Sequence, residues 1–439
     1  MTFQNDEETS ALGIHLEAES FSFARRLRGS NRIIEDKPDA DVLPLPPAVI
    51  VPQLGIEHLQ ADLHWPPHPR GCGEDWPPEA RVTLDQAPGR FPMAYAWPMV
   101  KRNHRWQWRG AGRRVSVDPL RALACVYLAA LRERIPPGSD PVRQVWVLPA
   151  DLEPRILREL RDTLSVAEES VELLPRPLAA AAAWFGLERH RSLATGSGTR
   201  NALLCLHLGL DEWEAAMVNA PTVEKNPDTL RFDEGDIRMI RTLPSFGLSL
   251  MHRLASRSVE LSLRKASENR AWELLWCSPW MSRMIEVFCH HHTTLDPSID
   301  LLPSHAQTRQ FLSQQCQAAI HHLLGPNTGG GHPALQWIPK APDRSGIRRW
   351  IETCRKDLDI DQLLGAVVTG PMVMLPQGQD SLGEQLVRQF WPQVDRALLE
   401  GENLERGALA RGAALIAEGP RSGSWEEYFA SVAATASPD

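Results

Sequence analysis

Residues 145–186 read VWVLPADLEPRILRELRDTLSVAEESVELLPRPLAAAAAWFG, and this run decides the fold class. Val145 to Leu148 is a short apolar run bounded by Pro149, the pattern of a buried strand. The spacing after it predicts a helix over roughly 152–164, then a second short strand near Val171–Leu174. Pro177 opens an alanine-rich helix from Leu178 to Phe185, and Gly186 stands where a helix C-cap belongs. Strands alternating with helices in this way predict an α/β protein.

The same alternation extends outward. Residues 12–24 and 47–55 read as strands near the start of the chain. The stretch PPHPRGCGEDWPP (66–78) must be loop, because proline removes backbone donors and fixes φ. Asp118-Pro119 supplies an N-cap and a first helical position. Leu120, Leu123, Ala124, Tyr127, Leu128 and Leu131 then recur at helical spacing until Pro136-Pro137. ATGSGTR (194–200) marks a boundary, followed by a strand at Ala202–Leu208 and a partner at Glu214–Val218. Residues 246–324 read as mostly helical, and GPNTGGGHP (325–333) as a joint. A strand at Ala366–Thr369, a helix around 381–391 and an Ala/Gly-rich helix at 407–418 complete the body.

A chain of 439 residues is long enough for two cores. A formal net charge of -8 argues against general affinity for nucleic acid or membrane surfaces. No apolar run approaches the ~20 residues of a membrane span. The opening MTFQNDEETS is acidic and polar, unlike a signal peptide, so the expected location is cytoplasmic. Seven scattered cysteines with no CxxC pair read as reduced, packed thiols.

Five segments, in order, resemble the nucleotide-binding region of the DnaK-type, seventy-kilodalton heat-shock chaperones. Gly13-Ile14-His15-Leu16-Glu17-Ala18-Glu19-Ser20 resembles the family's first phosphate hairpin, G-I-D-L-G-T-T, and Pro47 to Val51 its T-P-S-V-V. Residues 145–186 are similar to its strand, Pro-Ala, helix, strand and E-P-T-A-A-A-L-A-Y-G. Leu204 to Glu214 resembles the second phosphate hairpin, F-D-L-G-G-G-T-F-D. Val367 to Pro376 resembles the adenosine loop, V-L-V-G-G-S-T-R-I-P, and Ala408 to Ala414 resembles A-V-A-L-G-A-A. The resemblance implies an actin-like ATPase fold. Its two lobes, each a central mixed sheet flanked by helices, would enclose a cleft. It divides the chain into an acidic tail (1–10), a first lobe (11–190) and a second lobe (191–400) with a helical subdomain (246–324). A closing helix (401–420) returns to the first lobe, and a tail (421–439) follows. The segment matching the family's β-rich peptide-binding domain is missing.

The departures bear on function. In the family, glycine N–H groups and hydroxyls of the two hairpins hold the phosphates, and two Asp hold hydrated magnesium. Here both Asp positions are histidines, His15 and His207. Glu17, Ala18 and Glu19 replace Gly-Thr-Thr, and Leu210, Asp211 and Glu212 replace Gly-Gly-Thr after Gly209. Glu214 stands at the hairpin's last Asp. A carboxylate ~4 Å from a phosphate charge costs about 1 kcal/mol in water and roughly 4 kcal/mol at an effective dielectric of 20. Two such contacts cancel much of a micromolar binding energy of ~8 kcal/mol. In the adenosine loop Gly370 is followed by Pro371, and Met372 and Met374 replace the serine and arginine expected at the base. Arg176 replaces the family's Glu before Pro. Lys101 is the one nearby candidate for a catalytic lysine, and its alignment is poor.

These departures predict weak or absent ATP hydrolysis, no catalytic residue and no required cofactor. The function expected is that of a pseudo-ATPase, a protein-binding scaffold or chaperone-like subunit of a larger complex. The alternative from the enzyme class is a divergent nucleotide switch binding ATP or ADP, with Glu17, Glu19, Asp211 or Glu214 on magnesium. A metal held by His15 and His207 is weighed against a hydrogen-bonded polar cluster filling the old site. Cys289-His290-His291-His292 reads more readily as surface histidines or a helix end than as a metal tract.

A third reading rests on residues 101–114. Lys101, Arg102, Arg105, Trp106, Trp108, Arg109, Arg113 and Arg114 have the composition of a base-stacking, phosphate-tracking surface. The plainer alternative is an exposed strand pair with tryptophans on one face and arginines on the other. The acidic net charge favours that, or a protein partner.

Overall fold

The computed structural model describes residues 9–16, 20–27, 33–34, 42–44, 48–50, 90–92, 100–101, 106–110, 113–117, 120, 143–165, 171–187, 201–223, 230–232, 234–245, 344–374, 376–377, 380–394, 396–416 and 429. The expected helical region 246–324, the joint at 325–333, the loops at 66–78 and 194–200 and both tails, save Phe429 and the first residues of the opening strand, lie outside them. So do Glu17, Ala18, Glu19, Arg102, Arg105 and the Cys289–His292 tract.

The first sheet contains β1 (Thr9–Leu16), β2 (Ser20–Leu27), β3 (Ile33–Ile34), β4 (Val42–Pro44), β5 (Arg143–Leu148) and β6 (Val171–Pro175). Its order is β6-β5-β1-β2-β3, with β4 also on β2. The second contains β7 (Ala202–Leu208), β8 (Glu212–Asn219), β9 (Ile237–Pro244), β10 (Leu363–Thr369) and β11 (Ala397–Leu399), in the order β9-β8-β7-β10-β11. The two sheets repeat one plan. An antiparallel hairpin, β1–β2 or β7–β8, lies beside a strand parallel to its first member, β5 or β10. A further parallel strand, β6 or β11, lies outside that.

The helices repeat as well. α1 (Pro154–Ser165) joins β5 to β6, and α2 (Arg176–Phe185) follows β6. α3 (Arg344–Asp357) precedes β10, α4 (Leu382–Phe390) joins β10 to β11, and α5 (Ala408–Leu415) follows β11. The protein is therefore an α/β molecule of mixed sheets flanked by helices. α4 begins with a complete capping box: Ser381 accepts from the Glu384 amide, and the Glu384 carboxylate accepts from the Ser381 amide.

β7 (ALLCLHL) and β10 (LLGAVVT) are buried at every position, as strands covered on both faces must be. Alternation sorts their side chains. Leu204, Leu206 and Leu208 face a core with Ile347 and Ile351 of α3 and Phe390 of α4. Leu203 and Cys205 face a second core with Leu178 and Ala182 of α2 and Leu409 and Ala413 of α5. That second core also holds Val145, Val147 and Leu174 of the first sheet, so it joins the two sheets. α5 packs back on β1 and β2 and crosses α2.

Small residues set these approaches. A Cβ on Gly13 would lie 1.9 Å from the Ala410 carbonyl oxygen. Gly13, read from the sequence as the start of a phosphate hairpin, is thus also the seat of α5. Gly186 is the C-cap of α2, as expected, in a right-handed conformation, φ -66°, with its N–H donating to the Ala182 carbonyl. A Cβ there would meet Leu415 Cδ1 at 2.3 Å. Among the described residues no helix is long and apolar enough to cross a membrane.

Candidate functional site

The two hairpins put their histidines together. His15, near the end of β1, and His207, at the matching place in β7, are both buried. Their ring centroids are 6.0 Å apart and the rings are perpendicular. The Thr369 hydroxyl lies 3.4 Å from the Leu206 carbonyl, to which it donates, and 3.1 Å from His207 Nδ1. The hydroxyl thus stands between the Leu206 carbonyl and the imidazole. His207 is thereby held by its own sheet.

The second hairpin turns inward. The Gly209 amide donates to the Glu212 carbonyl at 2.9 Å, so this N–H closes the turn. Leu210 is fully buried, in one core with Met372 and Val373. The neighbouring loop behaves alike. Gly370 has φ +105°, a left-handed conformation suited to glycine, and its N–H donates to Glu400 Oε2 at 2.8 Å. Pro371 and Met372 are buried, and Met374 is packed at the edge of the same core. The Ser245 hydroxyl donates to the Met372 sulfur at 3.3 Å. The residues aligned with a base-contacting loop are thus core residues.

Between the hairpins stands an ionic cluster. Lys101 Nζ lies 2.7 Å from Asp151 Oδ1 and 2.5 Å from Glu212 Oε2. Arg176, with 1% of its side chain exposed, places Nη1 3.7 Å from Glu212 Oε1. Glu214 is buried, and its Oε2 accepts from the Ala150 amide at 3.4 Å. Asp151 and Ala150 follow β5, Arg176 opens α2, and Glu212 and Glu214 belong to β8. The cluster therefore bridges the two sheets.

Charge and burial compete within it. Burial works to lower the Lys101 pKa, but Glu212, Asp151 and Asp211 outweigh it and hold the ammonium protonated well above its ordinary range. Asp151 moves down: burial opposes its charge, and Lys101 overcomes that. Burial raises Glu212 well above the ordinary carboxylate range, with Asp151 and Asp211 adding to it against Lys101 and Arg176. Glu214 is also raised by burial, against the pull of Arg176 and His207. Two cations face four carboxylates here; Glu212 is paired with Lys101 and Arg176, and Glu214, raised by burial, absorbs part of the excess.

The structure brings together His15, His207, Gly209, Asp211, Glu212, Glu214 and the Gly370–Met374 loop. It adds Lys101, Arg176 and Asp151. Lys101, grouped from the sequence with a basic outer surface, is engaged by two carboxylates of the cluster. The sequence reading missed Asp151. The signal for the cluster was present as an exchange of charge: Arg176 stands where the resemblance has an acid, while Glu212 stands where it has a threonine. In the strand pair Trp106–Gly110 and Arg113–Val117, Trp106 is opposite Val117 and Trp108 opposite Val115, while Arg109 is opposite Arg114. Alternation puts positions 106, 108, 110, 113, 115 and 117 on one face and 107, 109, 114 and 116 on the other, so the Arg113 position shares a face with those of Trp106 and Trp108.

Among the described residues, no group of three or more His, Cys, Asp and Glu side chains is placed to hold a metal ion. The residues also fit magnesium nucleotide poorly. At the place the resemblance implies for it, His15 and His207 stand instead of Asp, Leu210 is buried in the core, and Glu212 and Glu214 are buried acids. No protein-family model matches the chain, and no curated protein matches it.

Proposed function

We propose that this chain is an actin-like, two-lobed pseudo-ATPase of the DnaK-type plan, working as a protein-binding scaffold or chaperone-like subunit in the cytoplasm. The repeated plan of the two sheets supports the two-lobed reading. α2 and α5 cross at their junction and share one core. The observation that carries the functional reading is the ionic cluster. Lys101 and Arg176 are committed to Asp151 and Glu212 in the space where the resemblance would put phosphates and magnesium. An incoming phosphate would have to displace carboxylates already paired with these cations and then sit beside them.

Isothermal titration with ATP and ADP, with and without magnesium, tests this. The expected result is no heat of binding and no thermal shift. Micromolar, magnesium-dependent binding would overturn it. That result would favour the divergent nucleotide switch, for which the place of Lys101 beside the second hairpin is the supporting observation.

A further inference from the structure

The cluster does more than fill space. In a two-lobed protein closed by a ligand, the ligand's charges bridge the halves. Here every bridging charge belongs to the chain. Lys101 links Asp151, beyond the end of β5 in the first sheet, to Glu212 in β8 of the second. Arg176, at the start of α2, reaches the other Glu212 oxygen. The Ala150 amide of the first half donates to Glu214 of the second. Each link crosses from one sheet to the other, and Glu212 takes part in two of them. We infer that Lys101, Asp151, Arg176 and Glu212 form a built-in latch, which holds the cleft closed without a ligand and presents one fixed conformation to a partner. The inference rests on the pseudo-ATPase reading in that no nucleotide does the bridging.

Two features make this a latch rather than general stabilisation. The links meet beside the hairpin turn at Gly209–Asp211. The halves are also joined by a separate set of contacts, where α5 packs on α2 and β1 through close backbone approaches at Gly412 and Gly13. Loss of the latch should therefore loosen the first set and leave the second intact. Glu212 is also the one carboxylate of the cluster that two cations share, and a buried ion pair broken on one side is costly.

Hydrogen exchange read by mass spectrometry on the whole chain tests the inference. In Glu212→Gln the backbone amides of Ala150, Gly209 and Met372 should exchange at least about tenfold faster. Those of Ala410 and Ala414 in α5 should keep wild-type protection. Lys101→Arg, which keeps the charge, should keep the cleft protected. Wild-type exchange in Glu212→Gln would overturn the latch, as would equal acceleration at Ala410 and Ala414. If Glu212→Gln does not fold, the double variant Arg176→Met/Glu212→Gln removes both members of that pair, leaves Lys101 on Asp151 and carries the same two outcomes. Exchange of the wild-type protein with magnesium ATP separates the two proposals. Added protection of the cleft would refute the pseudo-ATPase reading, and the Glu212 variants would still decide the latch.

Discussion

Gly412 of α5 lies directly on the Ala179 carbonyl of α2: a Cβ at position 412 would stand 1.8 Å from that oxygen and 2.9 Å from the Ala183 nitrogen. Backbone meets backbone there, so no side-chain rotation relieves a substitution. The helices would have to separate, and with them the core shared by both sheets. Gly412→Ala gains helix propensity, worth about 1 kcal/mol, and loses more through overpacking, about 1–3 kcal/mol or beyond in a site this tight. Net destabilisation is expected in urea unfolding. A variant as stable as wild type would show that the crossing is looser than described.

Lys101 and Glu212 should be coupled in stability. Lys101→Met alone leaves Glu212 and Asp151 facing each other in a buried site, a loss of about 3–5 kcal/mol for a pair broken on one side. Lys101→Met combined with Glu212→Gln removes both charges and should cost clearly less than the sum of the single variants. A double-mutant cycle by denaturant titration measures this, and additive losses would mean that the pair contributes no interaction of its own.

The fold class was legible because its signals were local. The run from Val145 to Gly186 carries a strand, a helix, a strand and a helix within one stretch, each bounded by proline or glycine. The apolar run at Ala202–Leu208 likewise matches β7 residue for residue. The partner of β7 was legible only in part: β8 begins at Glu212, two residues before the expected Glu214, because Glu212 and Trp213 are drawn inside by the cluster and by the core. The cluster itself was not legible as a unit. Lys101, Asp151, Arg176 and Glu212 are far apart in sequence, and the resemblance singled out Lys101, Arg176 and Glu212 one by one without pairing them. Met372 and Met374 were assigned to a base-binding loop by alignment, whereas their burial follows from the turn at Gly370, which points the loop into the core.

Cys205 and Cys354 are buried free thiols. Burial pushes Cys205 well above the ordinary thiol range, with Glu214 adding to it. It pushes Cys354 up to about 12, with Asp357 adding to it and Arg241 opposing. The thiolate is the reactive form, so both should resist alkylation in the native protein near pH 8 and react once it is unfolded. Peptide mapping after brief iodoacetamide treatment, with and without denaturant, reads this directly. Rapid native labelling of Cys205 would mean that the core between β7 and α2 opens readily.

Glu214 gives the pH prediction, and its sign is opposite to that of a salt-bridged acid. Burial raises its pKa in the folded state above the ordinary 4.5, while Arg176 and His207 reduce the effect without reversing it. The folded protein therefore holds a proton on Glu214 that the unfolded chain releases. Stability from this group is full below pH ~4.5 and is lost as pH rises toward the folded pKa, at up to about 1.4 kcal/mol per pH unit. Asp151, lowered by Lys101, acts the other way, contributing above its ordinary 3.8 and failing as pH falls. Glu214→Gln mimics the neutral acid and can still accept from the Ala150 amide. Relative to wild type it should gain stability as pH rises from about 4.5 toward the folded pKa. Urea unfolding of both proteins across that range measures the difference. A constant difference, or a loss in the Gln variant that grows with pH, would show that Glu214 is ionised when folded and paired with Arg176. Arg176 would then be shared between two charged acids, and Glu212 would hold less of it.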